Sequence, residues 1–230
     1  LCSAKRHDDN RRITQPFRFA ANAMSDQEIA RLTFDDFPAA RASMGRAFRD
    51  YNLMAYAKPS ERLAAVTSLY GAILKDCMNY GEVYSHGPCM GIAGWLPPSC
   101  PAPTFLRQAR AGMLAIPWHF GLRGFRILDA YDKIARRLHH DHAPMPHWFL
   151  AAIGVDAGYQ GRGIGSALMR PMLERADREA AHCWLDTHQE SNVRLYQRHG
   201  FVVCERVEMP GHPIPVYGML RPPRRPQTAN

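Results

Sequence analysis

The segment Phe149–Leu173, FLAAIGVDAGYQGRGIGSALMRPML, constrains this chain more than any other. It follows on from Trp148, and Trp148–Val155 has the length and the aromatic and β-branched content of a buried strand. A polar turn, Asp156–Tyr159, leads into Gln160-Gly161-Arg162-Gly163-Ile164-Gly165-Ser166, and a helical pattern comes next. Strand, glycine turn and helix in this order make an anion site. The first N–H groups of a helix lack internal partners and sit at the positive end of its dipole. Glycines let that backbone come close to a phosphate.

The spacing narrows the ligand. The dinucleotide fingerprint G-x-G-x-x-G, counted from Gly161, puts Ser166 where its third glycine should be. The P-loop requires a Lys that is absent here. What remains is Q-x-x-G-x-G, as Gln160, Gly163 and Gly165. Taken alone, these glycines also suit an ordinary strand–helix turn. A second patterned stretch lies about 30 residues on: Trp184-Leu185-Asp186-Thr187, then Asn192 to Phe201, with Asn192, Tyr196, Gly200 and Phe201 in N-x-x-x-Y-x-x-x-G-F order.

The 230 residues suffice for one large domain or two small ones, and a hydrophobic share of 46% is ordinary for a globular core. No apolar run reaches the ~18 residues of a membrane span, so no membrane partner is expected. Residues 1–23 contain no apolar core of a secretory signal. The net charge is +8, yet residues 1–23 hold five Lys/Arg against two Asp/Glu, and residues 221–230 hold three Arg and no acid. The basicity therefore lies mainly at the ends, which argues against a nucleic-acid surface on the folded part. The reading is a flexible extension over 1–23, a domain over 24–220 and a flexible basic tail over 221–230. Six cysteines without C-x-x-C spacing read as free thiols in a reducing, cytoplasmic compartment.

The rest of the chain alternates strands and helices. Ile29–Thr33 reads as a first strand. Thr33 is expected to cap a helix running to Phe48, and Ser60 to cap one over Glu61–Asn79. Gly81–Ser85 and Met90–Leu96 read as strands. Thr104–Ala115 and Trp118–His140 read as helices separated at Pro117. Pro171 is expected to kink the helix after the glycine turn. Cys183–Thr187 is a strand, Ser191–His199 a short helix with Gly200 as its cap, and Phe201–Glu208 and Val216–Leu220 are strands. The order predicts a single α/β domain with a mixed, twisted central sheet flanked by helices.

The two patterned stretches together resemble the GNAT superfamily of N-acetyltransferases over roughly Ile29–Leu220. Within it, the branch that includes puromycin N-acetyltransferase is similar in Pro146–Ala151, Gln160–Ala167, Pro171, Trp95-Leu96-Pro97-Pro98 and the N-x-x-x-Y-x-R-x-G-F run. At Asp186 those relatives commonly carry Glu, one methylene longer. The resemblance implies acetyl-CoA as co-substrate, with no metal. It places the pyrophosphate on Gln160, Gly161, Arg162, Gly163, Ile164, Gly165 and Ser166, and the pantetheine arm along the backbone of Ile153, Gly154 and Val155. Arg162 either meets a phosphate or lies in solvent.

For the chemistry, Tyr196 is the candidate general acid. A phenol of pKa ~10 is protonated at neutral pH and can donate to a departing thiolate; alternatively it packs on the sheet. Asn192 either orders the cofactor or caps its helix. Asp186, at a strand end, either takes the amine proton through water or is a solvated cap. Tyr51, Tyr56 and Trp95 either line an acceptor pocket or pack in the core. His139, His140, His142 and His147 lack a metal-binding pattern and read as a solvated turn. The leading expectation is acetyl transfer to a primary amine of a small molecule, an antibiotic among the candidates. A protein Nα- or lysine acetyltransferase and a non-catalytic acyl-CoA-binding regulator stay open, as does a homodimer.

Overall fold

A computed structural model describes residues 29–100 and 104–224. The expected extension over 1–23 and the last residues of the expected tail lie outside them. Among the described residues, seven strands form one sheet: β1 (Ile29–Arg31), β2 (Glu82–His86), β3 (Gly91–Leu96), β4 (His147–Val155), β5 (His182–Thr187), β6 (Val202–Glu208) and β7 (Pro215–Arg221). Their order is β1-β2-β3-β4-β5-β7-β6, and every pairing is antiparallel except β4 with β5. A parallel pair needs a crossover, and α5 (Ile164–Arg178) supplies it. The fold is the mixed α/β sheet that the order of elements predicts.

The helices cover both faces. α1 (Phe37–Phe48), α2 (Arg62–Tyr80) and α4 (Ile116–His142) bury Met44, Phe48, Val66, Leu74 and Leu138 on one face. α5 and α6 (Glu190–Arg198) bury Leu168, Met172, Val193 and Tyr196 on the other. α3 (Phe105–Ala111) packs beside α2.

β4 is irregular where the site will lie. Its pairing with β3 jumps from Trp95↔Leu150 to Gly94↔Ala152, so Ala151 is an extra residue, a β-bulge. The bulge exchanges the faces. Trp148 and Leu150 pack toward α5, whereas Ala152 packs toward α1 and α2. Gly154 then faces α1 so closely that a Cβ would lie 2.7 Å from Phe48 Cε2 and 2.8 Å from Met44 Sδ.

Several expected boundaries move. Thr33 caps nothing: its hydroxyl donates to Asp36 Oδ2 at 2.6 Å, and α1 starts at Phe37 with Pro38 in its first turn. α2 starts at Arg62 after Glu61, so Ser60 is not its cap. The helix expected over 104–115 stops at Ala111, with Thr104 accepting from Arg107 N as N-cap; a 3-10 turn, Met113–Ala115, follows. Pro117 sits in the first turn of α4, where its missing N–H costs nothing. The break comes instead at Gly121, φ 65° and ψ 175°. α5 runs unbroken through Pro171. β7 reaches Arg221, one residue past the expected boundary. Gly200 behaves as expected, with the Gly200 and Phe201 N–H groups closing α6 on the Gln197 and Tyr196 carbonyls. The five described cysteines are free thiols. Among the described residues, no helix is long and apolar enough to cross a membrane.

Candidate active site

β4 and β5 pair only from His147↔His182 to Phe149↔Trp184, while β4 stays paired to β3 as far as Val155. Beyond Phe149 the two parallel strands diverge. The fork exposes one edge of β4 to a cavity of about 930 Å3, lined on its two sides by Leu150–Ile153 and Asp186–His188. A bare strand edge carries N–H and C=O groups able to pair with an extended amide-bearing chain. Ile153 lines this cavity, but Gly154 and Val155 do not. Gly154 serves the contact with α1, and the Val155 carbonyl accepts from Gln160 Nε2 at 3.0 Å.

The glycine turn opens α5. Gly163 is the N-cap residue, at φ 79°, a left-handed conformation that disfavours any side chain. The first α5 turn closes with Ala167 N on Gly163 O, and no side chain caps it. The N–H groups of Ile164, Gly165 and Ser166 therefore precede the first helical bond and point at the turn. A Cβ built on Gly161 or Gly163 would meet nothing within 4 Å, so the backbone borders open space. This cradle suits a pyrophosphate.

The named side chains divide by task. Gln160 ties the turn to β4. Asp156, which opens the turn, accepts from Arg46 Nε and Nη2 of α1 at 2.8 and 2.6 Å. Arg162 donates to the Gly158 carbonyl at 3.3 Å and lies 5.4 Å over the Tyr159 ring. The Ile164 side chain is buried in the core, leaving its N–H for the cradle. The Ser166 hydroxyl is 2.9 Å from His199 Nε2.

α6 carries Asn192 and Tyr196 four residues apart, hence on one face, and both line the cavity. Asn192 is not a cap, since Gln189 holds that position; its Nδ2 donates to Tyr51 Oη at 3.4 Å. Tyr196 is 5% exposed, with its ring edge-on to Phe201 at 5.9 Å. Burial, with Tyr51 and Asp186 nearby, pushes its pKa up, so the phenol keeps its proton. Asp186 caps no helix and is half-buried at the cavity wall: Tyr131 Oη, from α4, donates to its Oδ2 at 2.6 Å. Burial raises the Asp186 pKa, the Tyr131 hydrogen bond opposes that, and Asp132 adds to it.

Tyr70, Tyr131 and His188 are among the lining residues that the sequence reading did not place in the site. In sequence, Tyr70 and Tyr131 are apolar-face positions of helices, and His188 is a lone histidine after a strand. Tyr51 lines the cavity as one of its two readings had it. Trp95 is wholly buried against the α5 side, and the Tyr56 hydroxyl bonds His212 Nδ1 at 2.9 Å. The histidines near α4 are not a simple solvated turn. His139 and His147 meet Nε2 to Nε2 at 2.7 Å, and His142 bonds Glu205 at 2.7 Å. Among the described residues, no group of three or more His, Cys, Asp or Glu is placed to hold a metal.

Bulge, forked parallel strands and glycine cradle in one mixed sheet define a GNAT-type acyltransferase fold. Residues 118–201 match the acetyltransferase (GNAT) family. An uncharacterised N-acetyltransferase of Schizosaccharomyces pombe is 22% identical over 207 residues, covering 84% of this chain and 82% of that protein. The N-alpha-acetyltransferase RimI of Mycobacterium tuberculosis is 32% identical over 83 residues, 36% of this chain and 51% of that protein. A solved structure from Corynebacterium glutamicum, described as histone acetyltransferase HPA2 and related acetyltransferase, shares the fold with TM-score 0.61. It is 21% identical and covers 87% of this chain and 98% of that one. Over 118–201 the chain thus matches the GNAT acetyltransferase family, it has the GNAT fold, and both relatives are N-acetyltransferases by name, which together indicate acetyl-CoA-dependent N-acetyl transfer.

Proposed function

We propose that the acceptor is the primary amine of a small molecule. One observation carries this reading: the acceptor side of the cavity is walled by packed elements. α4 crosses over β5 and β7, α3 stands beside α2, and the 3-10 turn Asn52–Tyr56 is tied to the β6–β7 loop by Tyr56 and His212. A polypeptide acceptor needs a groove open at both ends so that its chain can pass. A cavity walled on these sides by packed elements suits a compact amine better than a passing chain. The likeness to the puromycin N-acetyltransferase branch in Pro146–Ala151 and Gln160–Ala167 points the same way.

In this reading the pyrophosphate lies on the N–H groups of Ile164–Ser166, and the pantetheine arm lies along the bare edge of β4. The thioester then reaches the fork between β4 and β5. The amine nitrogen attacks its carbonyl carbon, the C–S bond breaks, Tyr196 gives its proton to the departing sulfur, and the proton lost by the nitrogen restores Tyr196. Asp186 supplies negative charge where an ammonium ion enters.

A second reading has an observation of its own: RimI, by its name an Nα-acetyltransferase, is 32% identical over the 83 residues it matches. A thiol-release assay with acetyl-CoA and a panel of puromycin, aminoglycosides, polyamines and short peptides separates the two. Turnover with a small amine and none with peptides is the expected result. Turnover confined to peptide N-termini overturns it in favour of protein acetylation.

A further inference from the structure

His188 leaves the end of β5 two residues after Asp186 and lines the cavity, 8% exposed. Its ring stands edge-on between Tyr51 at 5.7 Å and Tyr131 at 5.5 Å. Among the described residues, its Nε2 is enclosed and has no hydrogen-bond partner. Burial lowers its pKa to about 4, so the imidazole is neutral at physiological pH and carries one proton and one lone pair. We assign the proton to the enclosed Nε2, where an N–H suits the flanking tyrosine rings better than a bare lone pair does. The lone pair is then on Nδ1.

The charge balance around it is one-sided. Among the described residues, the two arginines that line the cavity are each paired elsewhere, Arg107 with Asp76 at 2.7 Å and Arg136 with Asp132 at 2.6 Å. Among the described residues, Asp186 has a tyrosine hydroxyl as its partner and no cation. The rings flanking His188 are Tyr51 from the turn after α1 and Tyr131 from α4, and Tyr131 in turn holds Asp186 of β5, which lines the same cavity. Tyr70 and Tyr196 complete the floor. Burial keeps Tyr70, Tyr131 and Tyr196 protonated. The floor thus has a carboxyl group, aromatic rings and a neutral imidazole, and nothing in it neutralises an incoming cation's partner in advance.

We propose that this floor is a subsite for an aliphatic ammonium ion, held by Asp186 and the tyrosine rings, and that His188 accepts the proton whose loss frees the nitrogen lone pair. The inference rests on the amine-acceptor reading above and moves the base from Asp186 to His188. The steps balance. R–NH3+ gives one proton to His188. The nitrogen forms a bond to the carbonyl carbon, and the C–S bond breaks with its electron pair going to sulfur. Sulfur takes the Tyr196 proton, and Tyr196 recovers one from the nitrogen. His188 returns its proton to solvent. R–NH3+ and acetyl-CoA become the acetamide, coenzyme A and one proton. Aromatic faces and a carboxylate both favour a desolvated ammonium.

Two small probes test this: benzylamine, an ammonium ion at neutral pH, and trifluoroethylamine, already neutral there. In the wild type, kcat/KM for benzylamine is expected to be flat between about pH 6 and 8, because the enzyme removes the proton itself. In His188→Gln it should fall about 10²-fold at pH 7 and rise about tenfold per pH unit, since only the free base can react. Trifluoroethylamine should lose less than about threefold. Asp186→Asn should raise KM for benzylamine and keep the flat profile. His188→Asn replaces the Gln variant if the latter melts early. Equal losses on both amines in His188→Gln, a profile that stays flat in that variant, or a new slope in Asp186→Asn instead, each overturn the assignment while leaving amine acetylation standing. No turnover by the wild type with any amine, the larger acceptors included, overturns both.

Discussion

Tyr196 can be separated from its own packing. Its ring is held against Phe201 and the sheet, while its hydroxyl reaches the cavity. Tyr196→Phe therefore keeps the buried surface and removes the proton donor. Turnover should fall on the order of 10²-fold, with acetyl-CoA affinity little changed and stability altered by less than about 1 kcal/mol. Tyr196→Ala should instead cost about 3 kcal/mol or more in urea unfolding. Near-normal turnover in the Phe variant would remove the acid role. Asn192 and Tyr196 were legible because an i, i+4 pair on a helix needs no tertiary information. Tyr131 and His188 were not. Tyr131 shares its helical face with Ile127, Ile134 and Leu138, and only the docking of α4 over β5 turns it from a core position into the donor to Asp186.

Among elements, the seam between α5 and β7 holds the cradle helix in place. Arg221, 3% exposed, donates from Nη1 and Nη2 to both Asp177 oxygens at 2.7 Å, and Arg224 N adds a third bond. Burial opposes ionisation of Asp177, yet the Arg221 and Arg224 hydrogen bonds outweigh it and hold the carboxyl below its ordinary value. A carboxyl with a lowered folded pKa stabilises the fold above the unfolded value, about 4, and loses that contribution as pH falls through the folded one. Asp177→Asn should cost about 3 kcal/mol at neutral pH, because it leaves a buried guanidinium uncompensated. The stability of the variant should also fall less steeply below about pH 4 than that of the wild type. Urea melts of both proteins at neutral pH and at about pH 3 check the two statements. An acid slope unchanged by the substitution would show that the seam does not carry it. The pair escaped the sequence reading because Asp177 and Arg221 are 44 residues apart and Arg221 reads as part of a basic tail.

At the scale of the whole molecule, acetyl-CoA should stabilise the fold. The site is assembled from α5, β4, β5 and α6, so an unfolded chain has no equivalent of it. Ligand at about 100 times its Kd then adds about 2.7 kcal/mol, or roughly 5–10 °C in Tm for a chain of this size. Scanning calorimetry with millimolar acetyl-CoA reads this directly. An unmoved Tm beside one raised by a nicotinamide dinucleotide would overturn the assignment of the cradle.

The sequence by itself determined what depends on neighbours along the chain: the strand–turn–helix cradle at Gln160–Ser166, the Asn192/Tyr196 face and the α/β alternation. Backbone angles, helical period and strand period are local, so residue order specifies them. Only the tertiary structure decided where β4 leaves β5, that Ala151 bulges there, that α4 breaks at Gly121 rather than Pro117, and that Tyr131, Asp186 and His188 share one floor. Those features arise when elements distant in sequence compete for the same sheet face. Packing settles that competition, and no local pattern in the chain encodes it.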